Sequence, residues 1–277
     1  MHKITRFTTA AVTAAVAVFG WYRYEFEPKI EEQTSTNQVT FIGQAIGAAP
    51  DFANMSDVTT KKQAFFDYLR PGIHLENQRV QKERARLERI DANYAAGNVS
   101  SEDIAYAKRL GQLYNVELTT EGITEAWLDK MLHRVNVLPE ALVMTQAANE
   151  SAWGTSRFAT QANNFFGQWC YTQGCGLVPL QRSEGAAHEV AKFSSVQESI
   201  HRYFMNVNRN KAYFDLREIR FDRANAGKNL IDTNAAIALT NGLLKYSERG
   251  EAYVKDLQTM IEHNDKFWTN YNDQSIQ

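Results

Sequence analysis

The stretch that most constrains the fold is residues 138–158, L-P-E-A-L-V-M-T-Q-A-A-N-E-S-A-W-G-T-S-R-F. Pro139 suits the first position of a helix, where its missing N–H is no loss, and Glu140 suits the positive helix N-terminus. Gly154 suits the left-handed residue that ends a helix. No residue from Ala141 to Ala148 is charged. A helix without a polar face is buried all round, so the spacing predicts a rod through the middle of the molecule. Glu150 stands near its end. The last turn carries the negative end of the helix dipole, which disfavours an anion by about 0.3–1 kcal/mol. Partial burial disfavours it further. Both effects favour the protonated carboxyl that a general acid needs near neutral pH. The competing reading is a solvated residue at a frayed helix end.

The run Q-A-A-N-E-S-A-W-G resembles the catalytic-helix motif of the β-N-acetylglucosaminidases of glycoside hydrolase family 73. Asn164-Phe165-Phe166-Gly167 resembles that family's Asn-x-Phe-Gly. The longer run N-N-F-F-G-Q-W-C-Y-T-Q-G-C-G-L-V-P, followed by E-G-A-A-H-E-V-A-K-F, is similar to its bacterial Bax-type branch. The resemblance extends over residues 61–263 and is specific over 138–204. It implies an α+β fold, mostly α, with a lysozyme-like core, a small β-hairpin lobe and extra N-terminal helices. It also implies cleavage of peptidoglycan glycan strands, with no cofactor.

The 277 residues allow one large domain or a domain with an extension. We divide them into a signal segment at 1–27, a linker at 28–60, a helical extension at 61–137 and the enzyme domain at 138–277. The net charge of −2 gives no signal for nucleic-acid binding. His2, Lys3 and Arg6 precede an uncharged run from Phe7 to Tyr22, shorter than the roughly 20 residues of a comfortable span. No good small-x-small cleavage site follows it, and Trp21, Tyr22 and Tyr24 resemble an interfacial belt. The expectation is therefore an uncleaved anchor in the inner membrane, with a cleaved signal peptide as the alternative. Either places the remainder at the periplasmic face, against the membrane surface and the peptidoglycan.

Cys170 and Cys175 are the only cysteines, and in an exported protein their spacing suggests a local disulfide. It would fix the turn at 171–174. A metal site needs more ligands than His188 nearby, so none is expected.

Along the chain, residues 28–60 are polar and poorly periodic, with a short ordered piece around 41–46. Residues 61–69 and 73–96 predict two helices broken at Pro71-Gly72. Helices are also predicted over 101–114, capped by Ser100 or Ser101, and over 124–135. Residues 177–180 and 189–193 predict the strands of a hairpin. A helix over 195–208 has Ser194 or Ser195 as cap and Glu198 to complete a capping box. Helices over 211–225, 233–239 and 251–267 complete the chain.

Glycoside cleavage needs a proton donor and commonly a second group that activates water or stabilises the cationic sugar. Glu150 is the first candidate. The hairpin offers Glu184 and Glu189 for the second. Glu184 is preferred because a turn beside Gly185 can overhang a groove, whereas Glu189 lies within the returning strand and is kept as a substrate contact. Tyr246, in L-L-K-Y-S-E-R-G-E-A-Y, is similar to a late tyrosine of the family and is a candidate to hold the N-acetyl group or water. Tyr253 is assigned to the core. Asn164, Phe166 and Trp169 are candidate sugar contacts, with structural roles as the competing reading, and Trp153 is assigned to the core. No Gly-x-Ser-x-Gly, His-Glu-x-x-His or phosphate-cradling loop occurs. The expected activity is hydrolysis after N-acetylglucosamine; a lytic transglycosylase and a non-catalytic binding module are the alternatives.

Overall fold

The computed structural model describes residues 46–180, 188–246 and 249–268. The signal segment, residues 28–45 of the linker and Glu184 lie outside them. Among the described residues no helix is long and apolar enough to cross a membrane.

The first long element, α1, runs from Val58 to Ala95, with Asp57 as its cap. Its 38 residues span about 57 Å. Pro71 lies inside it, so the two helices predicted on either side are one. Tertiary packing overrides the break. Gly72 lies where α6 (Val196–Arg209) crosses, and a side chain there would meet Ile46 Cδ1 at 2.3 Å and Ile200 Cδ1 at 2.8 Å. The glycine serves close approach of two helices rather than a turn. The linker expectation also shortens: Phe52 opens a 3-10 turn, is 1 % exposed and packs its ring against Phe65 and Tyr68.

α2 (Ser101–Leu113) and α3 (Glu125–Arg134) form where helices are predicted; of the two cap candidates for α2, Ser100 is the cap, in a capping box with Asp103, and Thr124 caps α3 rather than opening it. The central helix α4 is Glu140–Ser151, and every residue from Ala141 to Ala148 is buried. Pro139 is its cap rather than its first helical residue. Three residues in a row, Ala152, Trp153 and Gly154, are left-handed, so the helix stops before the glycine does its work. α4 packs on α1 on one side and on α8 (Thr233–Thr240) and α9 (Glu251–His263) on another. α5 (Arg157–Ala162) and α7 (Phe214–Asn225) complete the helices.

The sheet is small and antiparallel, in the order β1-β3-β2, with β1 Trp169–Cys170, β2 Gly176–Leu177 and β3 Glu189–Ala191. Trp169 pairs with Val190 and Leu177 also pairs with Val190 from the other side. The hairpin is β2–β3; β1 was missed because two residues carry no readable alternation. α6 begins at Val196 with Ser195 as cap, but Glu198 closes back on the Ser194 N–H and hydroxyl rather than on Ser195.

One hydrophobic cluster runs from Phe52 to Trp268, so the N-terminal helices and the remainder share a core. The C-termini of α2, α3 and α6 converge on arginines. Arg220, fully buried, donates to the carbonyls of His133, Arg134, Asn136 and Val137; Arg217 donates to those of Val207 and Asn210. Burial and neighbouring arginines push Arg220 down to about 9 and Arg217 to about 10, so both still carry charge at neutral pH. Carbonyl dipoles at helix ends take the part that carboxylates play elsewhere.

Candidate active site

Glu150 occupies the last turn of α4, half-buried, where the helix leaves the core. Two donors meet its Oε1: the Tyr253 hydroxyl at 3.3 Å and Asn149 Nδ2 at 3.2 Å. Tyr253 comes from α9, which packs along α4. Behind it stands Gln146, one turn earlier on α4, whose Nε2 donates to the Tyr253 oxygen at 3.4 Å. The Tyr203 hydroxyl, from α6, donates to Gln146 Oε1.

The direction of this chain follows from its end. An ionised carboxylate only accepts, so Tyr253 must donate to it. The Tyr253 oxygen then accepts from the Gln146 amide, which leaves Oε1 to accept from Tyr203. Burial raises both tyrosines well above the ordinary phenol value, and the Glu150 charge adds to this. Each therefore keeps its proton across the working range and remains a donor. Tyr253, expected in the core, is buried there, 4 % exposed, and it also reaches the carboxylate. The tyrosine-rich segment that singled out Tyr246 was the available signal. Tyr246 is itself buried and stacks on Tyr253 with ring centres 5.3 Å apart.

A groove of about 260 Å³ lies beside the carboxylate. Gly167 joins the two: a methyl group built on it would lie 3.5 Å from Glu150 Oε2, so the loop passes close to the acid. Phe166, Trp169, Tyr171, Tyr213 and Tyr246 give the groove aromatic walls. Phe166 is 3 % exposed and stacks on Tyr203 at 4.2 Å, which makes it a supporting wall rather than a free platform. Trp169 is half-buried and stacks on His188 at 3.8 Å.

Two expected sugar contacts have other occupations. Asn164 is 1 % exposed; its amide donates to the carbonyls of Gln168 and Ala191, and its oxygen accepts from the N–H groups of Phe166 and Gln168. With both ends satisfied by backbone, it shapes the loop that carries Gly167 past the acid. Glu189, 5 % exposed, accepts from Gly174 N at 3.0 Å and Gly176 N at 2.8 Å, one bond per oxygen. It holds the disulfide loop. The Cys170–Cys175 bridge is present, with Cα atoms 6.2 Å apart. These two sulfurs and the Glu189 carboxylate lie within 4.8 Å of one another. Bonded to each other, the sulfurs are not thiolate ligands, so the trio is no metal site.

A larger hollow of about 320 Å³ lies at the other end of α4, beside Glu140 and His74, ten residues from Glu150. Its Arg70–Glu140 pair ties α1 to the start of α4, which is a structural use.

A carboxyl at the end of a buried helix, beside an aromatic groove and a small sheet in a mostly helical α+β protein, is an arrangement that suits a glycosidase. The chain belongs to the glucosaminidase family, described as mannosyl-glycoprotein endo-β-N-acetylglucosaminidase, whose model matches residues 126–266. It is similar to Protein bax of Escherichia coli (strain K12), with 31% identity over 217 residues, 78% of this chain and 74% of that protein. No solved structure matches.

Proposed function

We propose that the protein hydrolyses the β-1,4 bond after N-acetylglucosamine in peptidoglycan, with Glu150 as general acid. The observation that carries this reading is Glu150 beside the groove, with the Tyr253 hydroxyl, whose proton affinity burial raises, donating to it. Protonation of the leaving oxygen by Glu150 begins the cleavage. Aromatic walls suit the apolar faces of sugar rings, and Trp169 and Tyr246 are assigned to them. Engagement of Glu189 by two amides favours Glu184 as the second carboxylate.

The same engagement supports a second reading. A lytic transglycosylase needs one carboxyl and leaves an anhydro product without water. Mass spectrometry of digested sacculi separates the two. Reducing N-acetylglucosamine ends support the hydrolase, anhydromuramic ends the transglycosylase, and no release from active-site-intact protein sinks both.

The place of action is proposed to be the periplasmic face, with the N-terminus as membrane anchor. The basic-then-apolar start and the disulfide, which suits an oxidising compartment, support this. A C-terminal reporter active only outside the cytoplasm should be active; activity of a cytoplasm-only reporter would overturn it.

A further inference from the structure

The groove is not electrically neutral along its length. Beyond the aromatic end it runs along α6, where Glu198, Arg202, Asn206 and Arg209 form one stripe at near-helical spacing, and Lys192 faces them from the segment after β3. Three cations thus line a groove whose lining holds one carboxylate, the half-buried Glu198. That carboxylate is already engaged by the Ser194 N–H at 2.9 Å and hydroxyl at 2.7 Å, and it reaches Arg202 only at 3.8 Å. The Arg202 side chain is 53 % exposed, so this pair is weak and leaves the guanidinium open to another partner. Glu189, behind the loop, spends its oxygens on Gly174 and Gly176. Arg209 donates to the Leu113 carbonyl at 3.3 Å. Burial holds its proton affinity below the ordinary arginine value, and Arg202 and Arg134 lower it further. Three cations gathered beside a groove, against the single Glu198 carboxylate that Ser194 already engages, attract a carboxylate from outside.

A strand of neutral N-acetylglucosamine rings offers none. We propose that this arm of the groove binds carboxylates attached to the glycan strand, with Arg202 and Lys192 as contacts that select acid-bearing over neutral strands. The inference rests on the peptidoglycan reading above, where every second sugar carries a lactyl group extended by an acidic peptide. From Arg202 to Arg209 the helix rises about 10 Å, so the charged arm extends over more than one sugar ring. Gly167, whose added methyl would lie 3.5 Å from Glu150 Oε2, lines the same groove as Arg202 and Lys192, so the charged arm and the acid belong to one groove system.

The test uses the full chain carrying Glu150→Gln, which leaves ligands intact during titration. Four probes are compared by calorimetry: a neutral N-acetylglucosamine tetrasaccharide, a disaccharide with its free lactyl carboxylate, the disaccharide-peptide, and that disaccharide-peptide with its carboxyls amidated. The disaccharide-peptide should bind about tenfold tighter than its amidated form, as two exposed contacts of about threefold each imply. Adding Lys192→Glu and Arg202→Glu together should abolish that preference. High salt should do the same to the Arg202 and Lys192 parent, which keeps the test independent of the folding of the variant. A free-lactyl disaccharide that matches the disaccharide-peptide shows that one carboxylate at the lactyl position suffices; one that binds like the neutral probe shows that the arm takes the peptide carboxylates. Equal affinity for the native and amidated forms, or a preference indifferent to charge reversal and salt, overturns the inference while neutral glycan binding keeps the proposed function standing. Failure of every glycan to bind sinks the proposed function itself.

Discussion

Replacing Tyr253 by Phe removes one oxygen and tests the chain that ends on Glu150. A hydrogen bond to a charged group contributes about 1.5–3 kcal/mol. At 3.3 Å, and with Glu150 only half-buried, the lower end applies here. About 1.5 kcal/mol corresponds to about one pH unit and about tenfold in rate. The sign follows from which form the donor favours. Tyr253 donates to the ionised carboxylate, so its loss favours the acid form, and the limb on which the general acid deprotonates moves to higher pH. A second cost falls on stability. Gln146, 0 % exposed, loses the acceptor for its Nε2, which costs about 1–3 kcal/mol. Melting should fall by about 2–4 °C per kcal/mol in a chain of this size. The assay is kcat against pH on purified sacculi, with melts beside it. Gln146→Glu is the companion variant: ionised, its new carboxylate accepts from Tyr203 and from Tyr253, turning the Tyr253 proton away from Glu150, and the limb should move the same way although Tyr253 keeps its hydroxyl. A merely structural role would lower the melts and leave the limb in place. Unchanged limbs in both variants would refute the reasoning.

Glu150→Gln keeps the shape and removes the titrating proton, so turnover should fall at least about 10²-fold; a variant that clears peptidoglycan like the parent would remove Glu150 from the chemistry. Glu76, buried in α1, is pushed up by burial yet held below the usual carboxylate value by its hydrogen bond with His201 and the Arg79 charge. A depressed folded value contributes stability above the unfolded pKa of about 4.3 and loses it as pH falls through the folded value, so Glu76→Gln should flatten the acid side of a plot of melting temperature against pH. Gly154→Ala should destabilise, because the residue is left-handed and its new methyl would lie 2.4 Å from the Phe52 ring; unaltered melts would mean that the N-terminal turn yields. Thiol labelling of unreduced, denatured protein should find Cys170 and Cys175 blocked, and replacing both by Ser should cost about 2 kcal/mol.

Much of the architecture is legible in local chemistry. The uncharged run from Ala141 to Ala148 dictated a buried helix, and the serines at 100–101 and 194–195 marked helix starts to within one residue because capping acts over three residues. Glu150 was visible for the same reason: a charge at the end of an apolar rod stands out in one dimension. Pro71-Gly72 misled, because a proline's effect on a helix is local whereas the contacts of α1 with α3, α4 and α6 act on its whole length. The roles of the polar candidates were decided only in three dimensions. Asn164 and Glu189 carry the right groups for sugars, but backbone N–H and carbonyl groups from elsewhere in the loop reached them first. Tyr253 is 103 residues from Glu150, and nothing in its own segment distinguishes a tyrosine that only packs from one whose hydroxyl lands on a carboxylate. Burial can be read from neighbours in sequence; a hydrogen-bond partner is set by distance and direction, which exist only once the helices have packed.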